Sequence, residues 1–126
     1  MKNKFEIKKC LKCGAIVEIL KPCTCENCGI KCCGENMETL QPNSTDASFE
    51  KHVPVYEVEG EYIVASVPHV MEEDHYIEYI ALDNNTVVVK EYFKAGEEAK
   101  VVFPYVKGST LYAYCNKHGL WSKEVE

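Results

Sequence analysis

The chain is 126 residues long, enough for one ordinary domain or a small one beside a medium one. Its formal charge is −6, and all 14 of its cations are lysines; an acidic chain without arginine lacks bidentate phosphate and guanine clamps, so nucleic acid is not expected as a partner. It contains no run of about 18 apolar residues and no charged-then-apolar leader, so no membrane association is expected and the chain reads as cytoplasmic.

Cysteine use divides the sequence. Seven of the eight cysteines, at 10, 13, 23, 25, 28, 32 and 33, fall before residue 34. So short a segment cannot bury a large core and needs a metal or disulfides. In a reducing compartment, metal ligation is the better expectation. Lys4 to Lys9 alternates weakly, as a strand leading into Cys10-Leu11-Lys12-Cys13-Gly14, and Ala15 to Leu20 reads as a second short strand. The small Gly14 lets backbone amides approach the knuckle sulfurs. A four-thiolate site needs two more cysteines. Spacing alone slightly favours Cys25-x2-Cys28, which would make two symmetric knuckles, over the adjacent pair Cys32-Cys33; Cys23 reads as a spare thiol in either scheme. Zinc and redox iron are equally compatible with these ligands.

Residues 36–50 are polar and turn-rich, the best linker in the chain. From His52 onward the pattern is β. Runs near 53–58, 61–67, 76–82, 86–93, 99–106 and 110–115 are rich in Val, Ile, Tyr and Phe, and are broken at Glu59-Gly60, Asp83-Asn84-Asn85, Ala95-Gly96 and Lys107-Gly108. Strands at this spacing predict an antiparallel sandwich or barrel, and the sequence shows no convincing amphipathic helix.

All four histidines, His52, His69, His75 and His118, lie in this β region, with its single cysteine, Cys115, three residues before His118. Any one of them alone is more often a turn or loop residue than a ligand. Jointly, all at loops or strand ends, they read as ligands presented by a rigid scaffold. Blue copper would want two histidines, one cysteine and a methionine just after the second histidine, and Gly119-Leu120-Trp121-Ser122 follows His118 instead. Catalytic zinc takes three protein ligands. Five mixed nitrogen and sulfur ligands suit iron and leave one octahedral position open for chemistry. Glu50-Lys51 directly precedes His52. Most such pairs are ordinary solvated charges, but here the lysine could draw a small anion to the open position and the glutamate could cap it.

These residues resemble a known family, the desulfoferrodoxins, two-iron superoxide reductases with an N-terminal desulforedoxin-like domain and a neelaredoxin-like domain. The resemblance runs through nearly the whole chain. It rests on Cys10-x2-Cys13-Gly14, Cys32-Cys33-Gly34-Glu35-x-Met37, Glu50-Lys51-His52-Val53-Pro54, Pro68-His69-x5-His75-Tyr76-Ile77 and Cys115-Asn116-x-His118-Gly119-Leu120-Trp121. It implies a mostly β protein. Residues 1–38 would be a desulforedoxin-like metal knuckle, 39–50 a linker and the start of the active-site loop, and 51–126 an immunoglobulin-like antiparallel β-sandwich carrying catalysis. It implies iron or zinc on Cys10, Cys13, Cys32 and Cys33, replacing the spacing preference for Cys25-x2-Cys28. It further implies catalytic iron with His52, His69, His75 and His118 in a plane and Cys115 axial. Glu50 and Lys51 would be the catalytic side chains, superoxide the substrate, a rubredoxin-like protein the electron donor, and the chain a homodimer. The stretch Pro22-Cys23-Thr24-Cys25-Glu26-Asn27-Cys28 departs from the family pattern, as an insertion bringing three further thiols. Two rival readings remain at this stage: a rubredoxin-like electron carrier with a closed second site, and a sensor or scaffold with structural zinc.

Overall fold

A computed structural model describes residues 5–26 and 29–126. The chain forms two compact units, the first ending at Gln41 and the second beginning at Pro42.

In the first unit, β1 (Ile7–Lys9) lies between β2 (Ile16–Glu18) and β5 (Glu38–Thr39), antiparallel to both. Both strands expected here form, each trimmed to three residues; Lys4, where the first was expected to start, lies outside the described residues. A separate hairpin joins β3 (Lys31–Cys32) to β4 (Glu35–Asn36). Its two loop residues, Cys33 and Gly34, have φ of 54° and 78°, the double positive φ of a type I′ turn, whose twist matches that of the flanking strands. Phe5, Ile7, Cys10 and Met37 are buried. That is too little apolar surface to hold so short a unit without a cross-link.

The second unit opens with a single helical turn, α1 (Phe49–His52), too short to leave a periodic trace in the sequence. Seven strands follow: β6 (Val55–Glu59), β7 (Tyr62–Ser66), β8 (Ile77–Asp83), β9 (Val88–Tyr92), β10 (Lys100–Pro104), β11 (Thr110–Cys115) and β12 (Gly119–Glu124). They make a three-stranded sheet in the order β10-β7-β6 and a four-stranded sheet in the order β12-β11-β8-β9, antiparallel throughout. Ile63, Ala65, Val101 and Phe103 from one sheet share a single core with Ile80, Leu82, Leu111 and Ala113 from the other, which makes the unit a sandwich. β7 and β10 alternate buried and more open positions, as strands with one wet face do. β8 and β11 are buried on both faces, hence their continuous apolar runs.

β12 is a strand that the sequence pattern does not announce. Its residues, Gly-Leu-Trp-Ser-Lys-Glu, lack a β-branched run, yet they pair along β11 from Cys115↔Gly119 to Thr110↔Glu124. Hairpin closure, rather than local propensity, makes it a strand.

Candidate metal centres

Three pieces of the sandwich unit converge on one point. α1 ends on His52, the β7–β8 connection carries His69 and His75, and the β11–β12 hairpin carries Cys115 and His118. In that hairpin Cys115 pairs with Gly119 across a three-residue loop, and Gly119 has a φ of 78°. This is a common three-residue hairpin with glycine at the left-handed position, and it brings a cysteine and a histidine three apart to one side. One ligand atom from each of the five residues lies within 4.8 Å of all the others.

The imidazole rings close into a circuit. Ring centroids are 4.7 Å apart for His52–His69, 4.6 Å for His69–His75, 5.0 Å for His75–His118 and 4.9 Å for His118–His52. Each ring is steeply inclined to the next, at 67–90°. The Cys115 sulfur lies 3.5 Å from His69 Nε2 and 3.9 Å from His118 Nδ1, two opposite corners of that circuit. His52 Nδ1 donates to the Ser48 carbonyl at 2.6 Å, and His69 Nδ1 donates to the Val70 carbonyl. Both Nε2 lone pairs are thereby turned inward, the tautomer a metal needs.

Two observations test whether a metal fits. His75 Nε2 is buried and has no hydrogen-bond partner, an arrangement that costs free energy unless something binds there. His52 Nε2 and His118 Nδ1 approach to 3.1 Å. Metal–nitrogen bonds of ~2.1 Å at right angles would put neighbouring nitrogens ~3.0 Å apart. Burial, the leading cause in each case, holds His52, His69 and His75 below the ordinary imidazole range, so they are neutral at neutral pH, the form a metal could bind. The residues present fit a metal ion.

In the first unit Cys10, Cys13, Cys32 and Cys33 form a second such cluster. Sγ–Sγ distances are 3.6 Å for Cys13–Cys32 and 4.0 Å for Cys32–Cys33. A tetrahedral metal with ~2.3 Å bonds to sulfur calls for ~3.8 Å. The Cys13 amide points at the Cys10 sulfur at 3.5 Å and draws its thiol down to about 6, while the Cys10 sulfur beside it is the main cause pushing Cys32 up to about 12. Four thiols this close cannot all ionise unless a cation sits among them, and four-thiolate sites do hold one. Cys25 is exposed and free and is not in the cluster, and Cys28 lies outside the described residues. Cys23 is not the spare thiol expected from spacing, because it takes part in a disulfide.

The desulfoferrodoxin family model matches residues 44–124. The desulfoferrodoxin of Syntrophotalea carbinolica is 41% identical over 128 residues, covering 98% of this chain and 99% of the relative. The chain belongs to the desulfoferrodoxin family. The desulfoferrodoxin of Nitratidesulfovibrio vulgaris is 40% identical, covering 99% of this chain and 100% of the relative. A protein of Pyrococcus furiosus named superoxide reductase is 35% identical, covering 70% of this chain and 95% of the relative. Among solved structures, the superoxide reductase of Treponema pallidum has the same fold, with a TM-score of 0.69 at 23% identity over 94% of this chain and 98% of the other.

Against that family pattern, Glu50 and Lys51 lie exposed on α1, directly before His52. The Lys51 charge reaches the site, being one of the causes that lower His52 and His69. The sequence reading did not single out the side chains that support the ligands. Trp121, fully buried, stacks on the His52 ring at 4.9 Å and donates from Nε1 to the His118 carbonyl at 3.0 Å. Phe49 packs edge-on against the same indole at 5.1 Å. The signal for Trp121 was its place in a cysteine–histidine motif, three residues after His118; nothing in the sequence marked Phe49.

Proposed function

We propose that this desulfoferrodoxin is a superoxide reductase, in which superoxide takes up one electron and two protons and leaves as hydrogen peroxide. One observation carries the reading: four imidazoles in a circuit with one buried cysteine sulfur against two of its corners. Such a set gives a metal five ligands and leaves one octahedral position open. Iron is the metal this mixed donor set suits, and when bound there in its ferrous form it supplies the electron.

The chain's own groups do the rest. His52, His69, His75, His118 and Cys115 would hold the iron, with the thiolate as the strong donor that tunes its potential. The exposed ammonium of Lys51 draws the anion toward the site although the chain as a whole is negative. It also stabilises charge that builds on the substrate oxygens. Glu50, exposed on α1 two residues before His52, would be the carboxylate available to an iron held there. Protons arrive from water at this exposed edge. Cys10, Cys13, Cys32 and Cys33 would hold a second iron, or zinc. In this reading residues 51–126 are the catalytic domain, 39–50 its lead-in and 1–38 the desulforedoxin-like domain. The reading includes a rubredoxin-like external donor, a cytoplasmic location and a homodimer, each supported by family membership. Among the described residues, no helix is long and apolar enough to cross a membrane.

The test is a visible spectrum of metal-loaded protein before and after mild oxidation, with iron and zinc counted on the same sample. The expected result is a thiolate-to-iron band that appears on oxidation and shifts with azide or cyanide, followed by rapid consumption of superoxide in a pulse experiment. A band indifferent to both anions would point to a closed electron-transfer site. Colourless protein holding only zinc after growth in iron would overturn the reading.

A further inference from the structure

The loop that carries His75 has no regular secondary structure of its own beyond a single bridge, and the backbone around His75 is held by specific hydrogen bonds. The His75 N–H donates to the Glu72 carbonyl at 3.2 Å, and the Glu72 N–H donates to the His75 carbonyl at 2.9 Å. Three further bonds run from residues 74–76 to one residue of the other ligand-bearing hairpin. Asn116 Oδ1 accepts from the Tyr76 N–H at 3.0 Å, and Asn116 Nδ2 donates to the Asp74 carbonyl at 3.0 Å. The Asn116 backbone N–H donates to the Tyr76 carbonyl at 3.2 Å. The amide therefore grips the residue before His75 and the residue after it. Its orientation is forced, because a backbone N–H can only donate and a carbonyl can only accept. Asn116 is itself next in sequence to Cys115, so a ligand from one loop and a ligand from the other are tied through a single side chain.

We infer that Asn116 is the positioning residue that sets His75 against Cys115 at the second centre. The inference rests on the metal-site reading above. The backbone on either side of His75 is what Asn116 holds, and the buried Nε2 of the ring has no hydrogen-bond partner of its own. The neighbouring ion pair between Lys117 and Asp74, at 3.8 Å and with both side chains largely exposed, cannot substitute for it. Replacing the amide by a methyl removes the bonds to the Asp74 carbonyl and the Tyr76 N–H, keeps only the backbone bond to the Tyr76 carbonyl, and so loosens the hold on His75. An aspartate would keep the acceptor for Tyr76 but set a carboxylate against the Asp74 carbonyl.

The experiment compares wild type, Asn116→Ala, Asn116→Asp, Lys117→Ala and, as a reference, His75→Ala in the full chain. Cobalt(II) is titrated against a chelator, and apo-protein melting is followed alongside. The four-thiolate centre serves as internal control, since Asn116 is not among its ligands. For Asn116→Ala, affinity at the histidine–cysteine centre should fall about 10- to 100-fold. Its spectrum should move toward that of His75→Ala, while the thiolate-only bands stay unchanged. Asn116→Asp should fall between wild type and alanine, and Lys117→Ala should match wild type. An Asn116→Ala protein with wild-type affinity and spectrum would overturn the inference. So would one whose melting drops while the spectrum of the loaded centre stays wild-type, because that is a stability role alone. If wild type itself takes up cobalt only at the thiolate centre, the underlying metal reading fails, and that failure is seen before any variant is compared.

Discussion

Lys51 and the buried imidazoles act on charge in opposite ways, and each gives a measurable consequence. Lys51 is exposed, so its effect is long-range and screened by salt. Lys51→Ala should slow the reaction with superoxide roughly tenfold at low ionic strength and flatten its salt dependence. The spectrum of the metal should stay close to wild type; an unchanged low-salt rate in pulse radiolysis would remove the steering role. His52, His69 and His75 sit below the ordinary imidazole range, chiefly because they are buried. The unfolded chain therefore takes up protons before the folded one. The stability tied to these groups is fully present above about pH 6.5 and is lost as pH falls below it. Protonation also removes the lone pairs a metal needs. Metal content after dialysis should thus hold at neutral pH and decline progressively as pH falls below about 6.5.

Hairpin loops do the precise work at the scale of elements. Gly119 ends the loop between Cys115 and β12 at a positive φ, and a Cβ built there would lie 2.9 Å from Thr45 Oγ1. Gly119→Ala should cost about 1–2 kcal/mol from the left-handed backbone alone, with the Thr45 contact adding to it. Urea unfolding would measure this, and Thr45→Ala in the same chain should recover the contact part only. In the first unit the turn Cys33-Gly34 explains how two adjacent cysteines can serve one centre. Successive residues of a strand point to opposite faces, but Cys33 leaves the strand at a φ of 54° and returns its sulfur to within 4.0 Å of Cys32. Cys32→Ser should abolish metal binding at the first centre, whereas Cys25→Ser, at an exposed free thiol, should leave two metals per chain by elemental analysis.

The two units of the molecule differ in what holds them. The sandwich has a continuous apolar core shared by both sheets. The first unit has short strands, few buried side chains and a four-cysteine cluster. A strong chelator should therefore expose the β1, β2 and β5 amides to hydrogen exchange while those of β8 and β11 stay protected. Uniform loss of protection in both units would show that the metal is not what supports the first.

The sequence by itself determined the class of the protein and the identity of its ligands. Alternating Val, Ile and Tyr runs specify strands wherever they occur, and the six expected β runs all appear. His52, His69, His75, Cys115 and His118 were legible because chemistry restricts which side chains can bind a metal. The tertiary structure decided what depends on pairing across distance. β12 exists because β11 offers it a partner, not because of its own residues. Cys32 and Cys33 were implied by the family resemblance against the spacing preference for Cys25-x2-Cys28, and the Cys33-Gly34 turn is what brings both into one cluster. Trp121 beneath His52 and Asn116 across the His75 loop became visible only once segments some 40 to 70 residues apart were adjacent. Ligand identity is a property of one side chain and survives in the linear string, whereas the support that holds a ligand in place is a relation between two segments and comes into being only when the chain folds.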